Sequence, residues 1–288
     1  MWGGRPGFAS PVATLTHRMQ TPTSIFAGRW LRALAATGLA LCLALALVPG
    51  ARAQPVATVA AAADLKFAVE ALAADFERQT GHRLRLVFGS SGHFKTQILQ
   101  GAPFHLFMSA DEGFVFQLAD AGKTEDRGRR YARGRIVLVV PRASPLKADG
   151  TLDDLAAALK DGRLQKFAIA NPDHAPYGMR AREALQHAGL WAAIEPRLVY
   201  GENVAQATQF ATAGSTQGGI VALSLALAPA VARLGRHALI PDTWHAPLHQ
   251  RMVLLKGAPT PARAFYEHLA TPAAQAVMKR HGFELPAE

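Results

Sequence analysis

Short apolar runs alternate along this chain with longer stretches whose apolar residues recur every three or four positions. The short runs read as strands: Val56–Ala60, Leu84–Phe88, Phe104–Met108, Arg135–Pro141, Lys166–Ala170, Arg197–Tyr200, Gly219–Ala222 and a segment near Leu248–Lys256. The longer stretches read as helices. Leu65, Ala68, Val69, Leu72, Ala73 and Phe76 share one face, and Thr80-Gly81-His82 ends that helix. Further helices are predicted over 93–100, from Ser109-Ala110-Asp111 to Ala121-Gly122, after Thr151-Leu152-Asp153-Asp154, over 179–186, from Asn203-Val204 to Thr212, and from Thr260-Pro261 onward. Strand and helix alternating through short links predict an α/β protein, with mostly parallel sheets flanked by helices.

The strand at 135–141 runs into a long polar stretch containing Pro and Gly, which marks a crossing into a second lobe. A return is expected near 248–256. The predicted organisation is a first lobe over 54–136, a second over 137–242, and a return segment with C-terminal helices over 243–288.

The first 53 residues read differently. Arg29 and Arg32 precede an apolar run from Ala33 to Val48, followed by Pro49-Gly50 and Ala51-Arg52-Ala53. That is a signal-peptide pattern with cleavage expected after Ala53, starting from Met1 or Met19, and it implies export into an oxidising compartment. The run is short for a membrane span. Leu41 before Cys42 argues against a lipoprotein anchor at the only cysteine. Cleavage would leave 235 of the 288 residues, cysteine-free, so an ordinary apolar core has to hold the mature chain. Five of the arginines lie in 1–53 and no acid does, so the formal charge falls from +10 to +5. No basic cluster is interleaved with aromatics, which disfavours nucleic acid as a partner.

The candidate chemistry lies where strands end and helices begin. Phe88-Gly89-Ser90-Ser91-Gly92 links a strand to a helix, leaving amide N–H groups, a helix dipole and two hydroxyls in one small volume. Ser90 as an ordinary N-cap is the plainer reading of that turn alone. The same kind of turn recurs at Ala63-Asp64, Pro176-Tyr177 and Asn203-Val204, two turns to each lobe. Four such turns could surround a small anion with N–H and O–H donors at the strand ends of open sheets.

The chain resembles the periplasmic molybdate-binding components of ABC importers, which are type II solute-binding proteins. The resemblance is carried by Ala61-Ala62-Ala63-Asp64-Leu65, Phe88-Gly89-Ser90-Ser91-Gly92, Leu106-Phe107-Met108-Ser109-Ala110-Asp111, Asn171-Pro172 with Ala175-Pro176-Tyr177-Gly178, and Gly201-Glu202-Asn203-Val204. It implies a two-lobed type II periplasmic binding fold with a ligand cleft between the lobes. It also implies the periplasm as the compartment, a molybdate or tungstate ligand, no cofactor, a monomer, and an inner-membrane permease with its ATPase as partners. The ligand-binding set it implies is Ala63, Asp64, Ser91, Tyr177 and Val204, with Val204 acting through its main chain. The metal would be held only as its oxyanion, without direct metal ligands. One branch of the family has a tyrosine at the final strand, where this chain has Ala222; Tyr177 sides with the other branch.

Asp64 is the departure, because that position usually carries a neutral donor. A carboxylate about 4 Å from a dianion is repelled by roughly 4 kcal/mol at an effective dielectric near 20. Three arrangements avoid this: Asp64 caps its own helix, it stays protonated, or it accepts a proton from the ligand. Capping is the cheapest of them. Phosphate, sulfate or a small organic anion would suit the same kind of site. A secreted serine hydrolase using Ser91, a histidine and Asp64 is a distant alternative, since no Gly-x-Ser-x-Gly is present. His245 and His249 are separated by Pro247 and share no helical face, so a metal role for them is disfavoured.

Overall fold

The computed structural model describes residues 56–286; the expected signal peptide, its cleavage after Ala53 and Cys42 lie outside them. Two five-stranded sheets form the frame. The first has the order β2 (Leu84–Gly89), β1 (Ala57–Ala62), β3 (Leu106–Ser109), β10 (Leu248–Leu254), β4 (Arg129–Gly134). The second repeats the plan as β7 (Leu198–Gly201), β6 (Phe167–Ala170), β8 (Gly219–Ala222), β5 (Ile136–Pro141), β9 (Gly235–Leu239). In each sheet one strand runs against the rest: β10 is antiparallel to β3 and β4, and β5 is antiparallel to β8 and β9. The fold is thus α/β and two-lobed, with four strands of each sheet pointing one way.

The reversed strands are where the chain changes lobe. β4 and β5 are separated by Arg135 alone, and β9 reaches β10 through residues 240–247. Ile136, expected as the last residue of the first lobe, pairs with Ala222 in the second sheet. The two crossings lie side by side, since the Ile240 amide donates to the Ile136 carbonyl at 3.3 Å. Arg133 pairs with Asp242 at 2.9 Å and Arg135 with Glu284 at 2.8 Å across the same junction. β4 and β9 were not expected as strands. Both are edge strands, arginine-bearing and only partly buried, so they lack the apolar run that reveals an interior strand.

Helices pack on these sheets by the stripes the sequence predicts. In α1 (Lys66–Thr80), Ala68, Val69, Leu72 and Phe76 are buried, and Gly81 closes the helix in the left-handed conformation. α2 (Ser91–Leu99) buries Phe94 and Ile98, and α3 (Glu112–Asp120) buries Val115 and Leu118. The second lobe adds α4 (Asp153–Asp161), α5 (Pro176–His187) and α6 (Val204–Thr212). The C-terminal helices α7 (Thr260–His268) and α8 (Pro272–Arg280) return to the first lobe, where Phe265 meets Phe76 edge-on at 5.2 Å between centroids.

Register decides where the turns fall. β1 and β2 are parallel and matched to their ends, Ala62 opposite Gly89, so the turns that follow them lie next to each other. β6 and β7 do the same in the second lobe, Ala170 opposite Gly201, which sets the starts of α5 and α6 side by side. Two pairs of strand-to-helix turns therefore face one another across the cleft.

Candidate functional site

A small cavity, about 190 Å³ of empty space including its mouth, lies between those four turns. Its wall is built from Ala63 and Asp64 after β1, Ser90 and Ser91 after β2, Tyr177 at the start of α5, and Asn203 and Val204 at the start of α6. All five residues expected to bind ligand are brought together there. No lysine or arginine lies among the residues that line it.

The polar groups on this wall are arranged in different ways. Helical geometry leaves the amides of Ser91, Tyr177 and Val204 without an intrahelical acceptor. Asn203 caps α6 by accepting from the amides of Ala205 and Gln206 at 3.0 and 3.1 Å, which orients the first turn around Val204. Ser91 is buried, and its Oγ accepts the Ala110 amide at 3.0 Å. That bond fixes the oxygen and leaves the hydroxyl hydrogen to be donated elsewhere. Ser90 is the N-cap residue of α2 but caps nothing with its side chain; its hydroxyl crosses to the second lobe.

Asp64 does not cap its helix, and that expectation is corrected here. Residues Ala63–Leu65 form a 3-10 turn ahead of α1, which moves the capping position to Leu65 and turns the Asp64 side chain inward. Its Oδ2 accepts from the Tyr177 hydroxyl at 2.9 Å and from Gln250 Nε2 at 2.7 Å. Its Oδ1 is buried and has no partner among the described residues. Burial pushes this carboxyl up to about 6, against the smaller opposing pull of the Gln250 and Tyr177 bonds. Tyr177 and Tyr131 flank it, and burial raises both phenols well above their ordinary value, so both are neutral donors.

At the rim the lobes meet again. The Ser90 hydroxyl donates to the His174 carbonyl at 2.6 Å, so its contact with His174 Nδ1 at 2.9 Å places the ring hydrogen on Nδ1. The Gly92 amide donates to the same carbonyl at 3.0 Å, and a side chain at Gly92 would collide with the His174 backbone. His93 of α2 stacks on His174 at 3.8 Å between centroids and pairs with Glu202 at 2.5 Å. Arg180 of α5, nearly buried, reaches Asp111 of the first lobe at 3.1 Å. The lobes are closed on each other.

Residues 57–284 match the family described as bacterial extracellular solute-binding proteins. The chain belongs to that family. This solute-binding protein is 37% identical over 251 residues to the molybdate-binding protein ModA of Rhodobacter capsulatus, covering 86% of this chain and 94% of the relative. It is 33% identical over 233 residues to ModA of Escherichia coli, covering 79% of this chain and 88% of the relative. Among solved structures, the periplasmic molybdate-binding protein of Azotobacter vinelandii superposes with a TM-score of 0.71 at 31% identity, covering 80% of this chain and all of that one. The sulfate-binding protein SubI of Mycobacterium tuberculosis superposes at 0.66 with 19% identity, which speaks for the fold alone. All of these relatives are named as binding proteins.

Sequence reasoning missed three residues of this solute-binding protein's cleft. Gln250 comes from the return strand, 186 positions from Asp64, and has no local signature. His93 and His174 lie 81 positions apart with no motif linking them, yet they stack across the closed rim. The pair His245 and His249 does not form a site: His245 Nδ1 bonds the Ala246 carbonyl next to it.

Proposed function

We propose that this solute-binding protein captures a tetrahedral oxyanion, molybdate and by the same geometry tungstate, outside the cytoplasm and delivers it to an ABC importer. The observation that carries the reading is the convergence of four strand-to-helix turns, two from each lobe, on one small cavity with no Lys or Arg on its wall. Fixed N–H and O–H dipoles hold a dianion without the desolvated ion pair that a buried arginine would require. The relatives named for molybdate supply the identity of the anion.

Ser91 and the amide of Val204 are the donors from opposite lobes, with Ala63 and Asp64 contributing backbone from the first. Tyr177 forms the second lobe's side of the wall. An anion that bridges both lobes binds the closed form better than the open one, and this difference is what drives closure. A permease then reads the closed face, and its ATPase supplies the energy. No cofactor enters this scheme. Export by a cleaved signal peptide, with cleavage after Ala53, and action as a monomer in the periplasm belong to the same proposal.

Calorimetry of the chain from Gln54 against molybdate, tungstate, sulfate and phosphate tests it. Tight binding of molybdate and tungstate, with sulfate weaker, is expected. Sulfate is smaller and leaves donors of a rigid cavity unmatched, at about 1–3 kcal/mol each. Heat from phosphate alone would overturn the assignment.

A further inference from the structure

The Asp64 carboxyl is the one group on the cavity wall that an incoming dianion should repel. It nevertheless sits 1% exposed in the centre of the donor set. Its two oxygens are used unequally. Oδ2 has taken two neutral donors, Tyr177 Oη and Gln250 Nε2, and these also touch each other at 3.2 Å. Oδ1 has taken none and is sealed from solvent. A carboxylic acid protonated on Oδ1 makes sense of this asymmetry. Oδ2 keeps its role as acceptor, and Oδ1 becomes an O–H donor that lacks only an acceptor.

We propose that the oxyanion is held with one proton shared between Asp64 Oδ1 and a ligand oxygen, so that capture of a fully ionised dianion takes one proton from solvent. This rests on the oxyanion reading above and adds to it a class of guest: the site takes either a dianion plus a proton or an anion that brings its own. The balance is simple. With Asp64 ionised before binding, the dianion and one proton enter together, no covalent bond to the anion breaks, and the new O–H lies on Oδ1 or on the ligand. A hydrogenphosphate dianion already carries that hydrogen and binds with no net uptake.

The surroundings permit this and do not compensate the charge otherwise. α5 presents Tyr177, β10 presents Gln250, and β4 presents Tyr131, whose hydroxyl donates to the Ser109 carbonyl. α6 contributes Val204 and the short helix Leu223–Ala226 contributes the Ser224 hydroxyl, which donates to the Asp64 carbonyl at 2.8 Å. The neighbouring Lys66 is committed to Glu70 on the outer face of α1. No Arg, Lys or His is among the groups acting on the carboxyl, and burial, outweighing the bonds from Gln250, Tyr177 and its own amide, already holds it at about 6 before any anion arrives.

The test is calorimetry at pH 8 in two buffers of different ionisation enthalpy, with molybdate, sulfate and phosphate as probes, on the native chain and on Asp64→Ser and Asp64→Asn. The native chain should take up close to one proton per molybdate or sulfate and close to none per phosphate. Its affinity for the first two should fall about tenfold per pH unit between pH 7 and 9, the slope of a single linked proton. Both variants should bind with no uptake and a flat pH profile. Molybdate binding by the native chain with no proton uptake would overturn the inference while leaving the oxyanion reading intact, and so would uptake that survives in both variants. Failure to bind any of the three anions would overturn both.

Discussion

The two lobes are joined across the cleft at a floor and at a rim, and the two junctions differ in kind. The floor is Asp64 with Tyr177 and Gln250, buried, uncharged on the donor side, and sealed from water. The rim is His93 with Glu202, where both side chains are about half exposed and both groups can carry charge. Hydrogen bonds of similar length therefore do different things. In the dry floor an unmatched group costs its full desolvation, so a substitution there should be felt strongly. At the wet rim, solvent and salt replace most of what is lost.

The largest effect expected from this contrast comes from removing the floor's charge. A carboxyl near 6 in the folded chain against 3.8 in the unfolded one holds its proton more tightly when folded. Its burden on stability is absent below about 3.8, grows as pH rises from there to 6, and amounts to about 3 kcal/mol above that range. Asp64→Asn should thus stabilise the ligand-free chain at pH 8 and change little at pH 4, as read by denaturant midpoints. An equal shift at both pH values would break the comparison.

Next comes Tyr177→Phe, which leaves Oδ2 with Gln250 alone and should cost about 1–3 kcal/mol at pH 8. The loss should shrink as the carboxyl protonates, because the missing bond favours the ionised form. Ser91→Ala removes a donor to the anion and should weaken molybdate by about tenfold to a hundredfold in titration calorimetry. Unchanged affinity would reduce Ser91 to an anchor for the Ala110 amide. The smallest effect belongs to the rim: Glu202→Gln should cost less than about 1 kcal/mol of closure and lose even that at high salt. A rim substitution as damaging as one in the floor would show that exposure does not rank these contacts.

Most of the frame was legible because interior strands and amphipathic helices announce themselves by period. The eight strands read from the sequence are all present within a few residues of their expected limits, and the two unread ones are the arginine-bearing edges β4 and β9. The four turns around the cavity were legible too, since Gly, Ser, Asn and Pro at helix starts have local causes. What escaped depends on distance along the chain. Gln250 reaches Asp64 only because β10 returns between β3 and β4. Asp64 at a helix start looks like a cap until the intervening 3-10 turn is known.

The paired crossings at Arg135 and at residues 240–247 bear on how the jaws move. A single connecting strand would let one lobe swivel freely, but two adjacent ones, tied by Ile240 to Ile136 and by Arg133 to Asp242, make a strap that bends in one direction and resists torsion. The closure proposed above would then bring the opposed turns back to the same alignment in every cycle of capture.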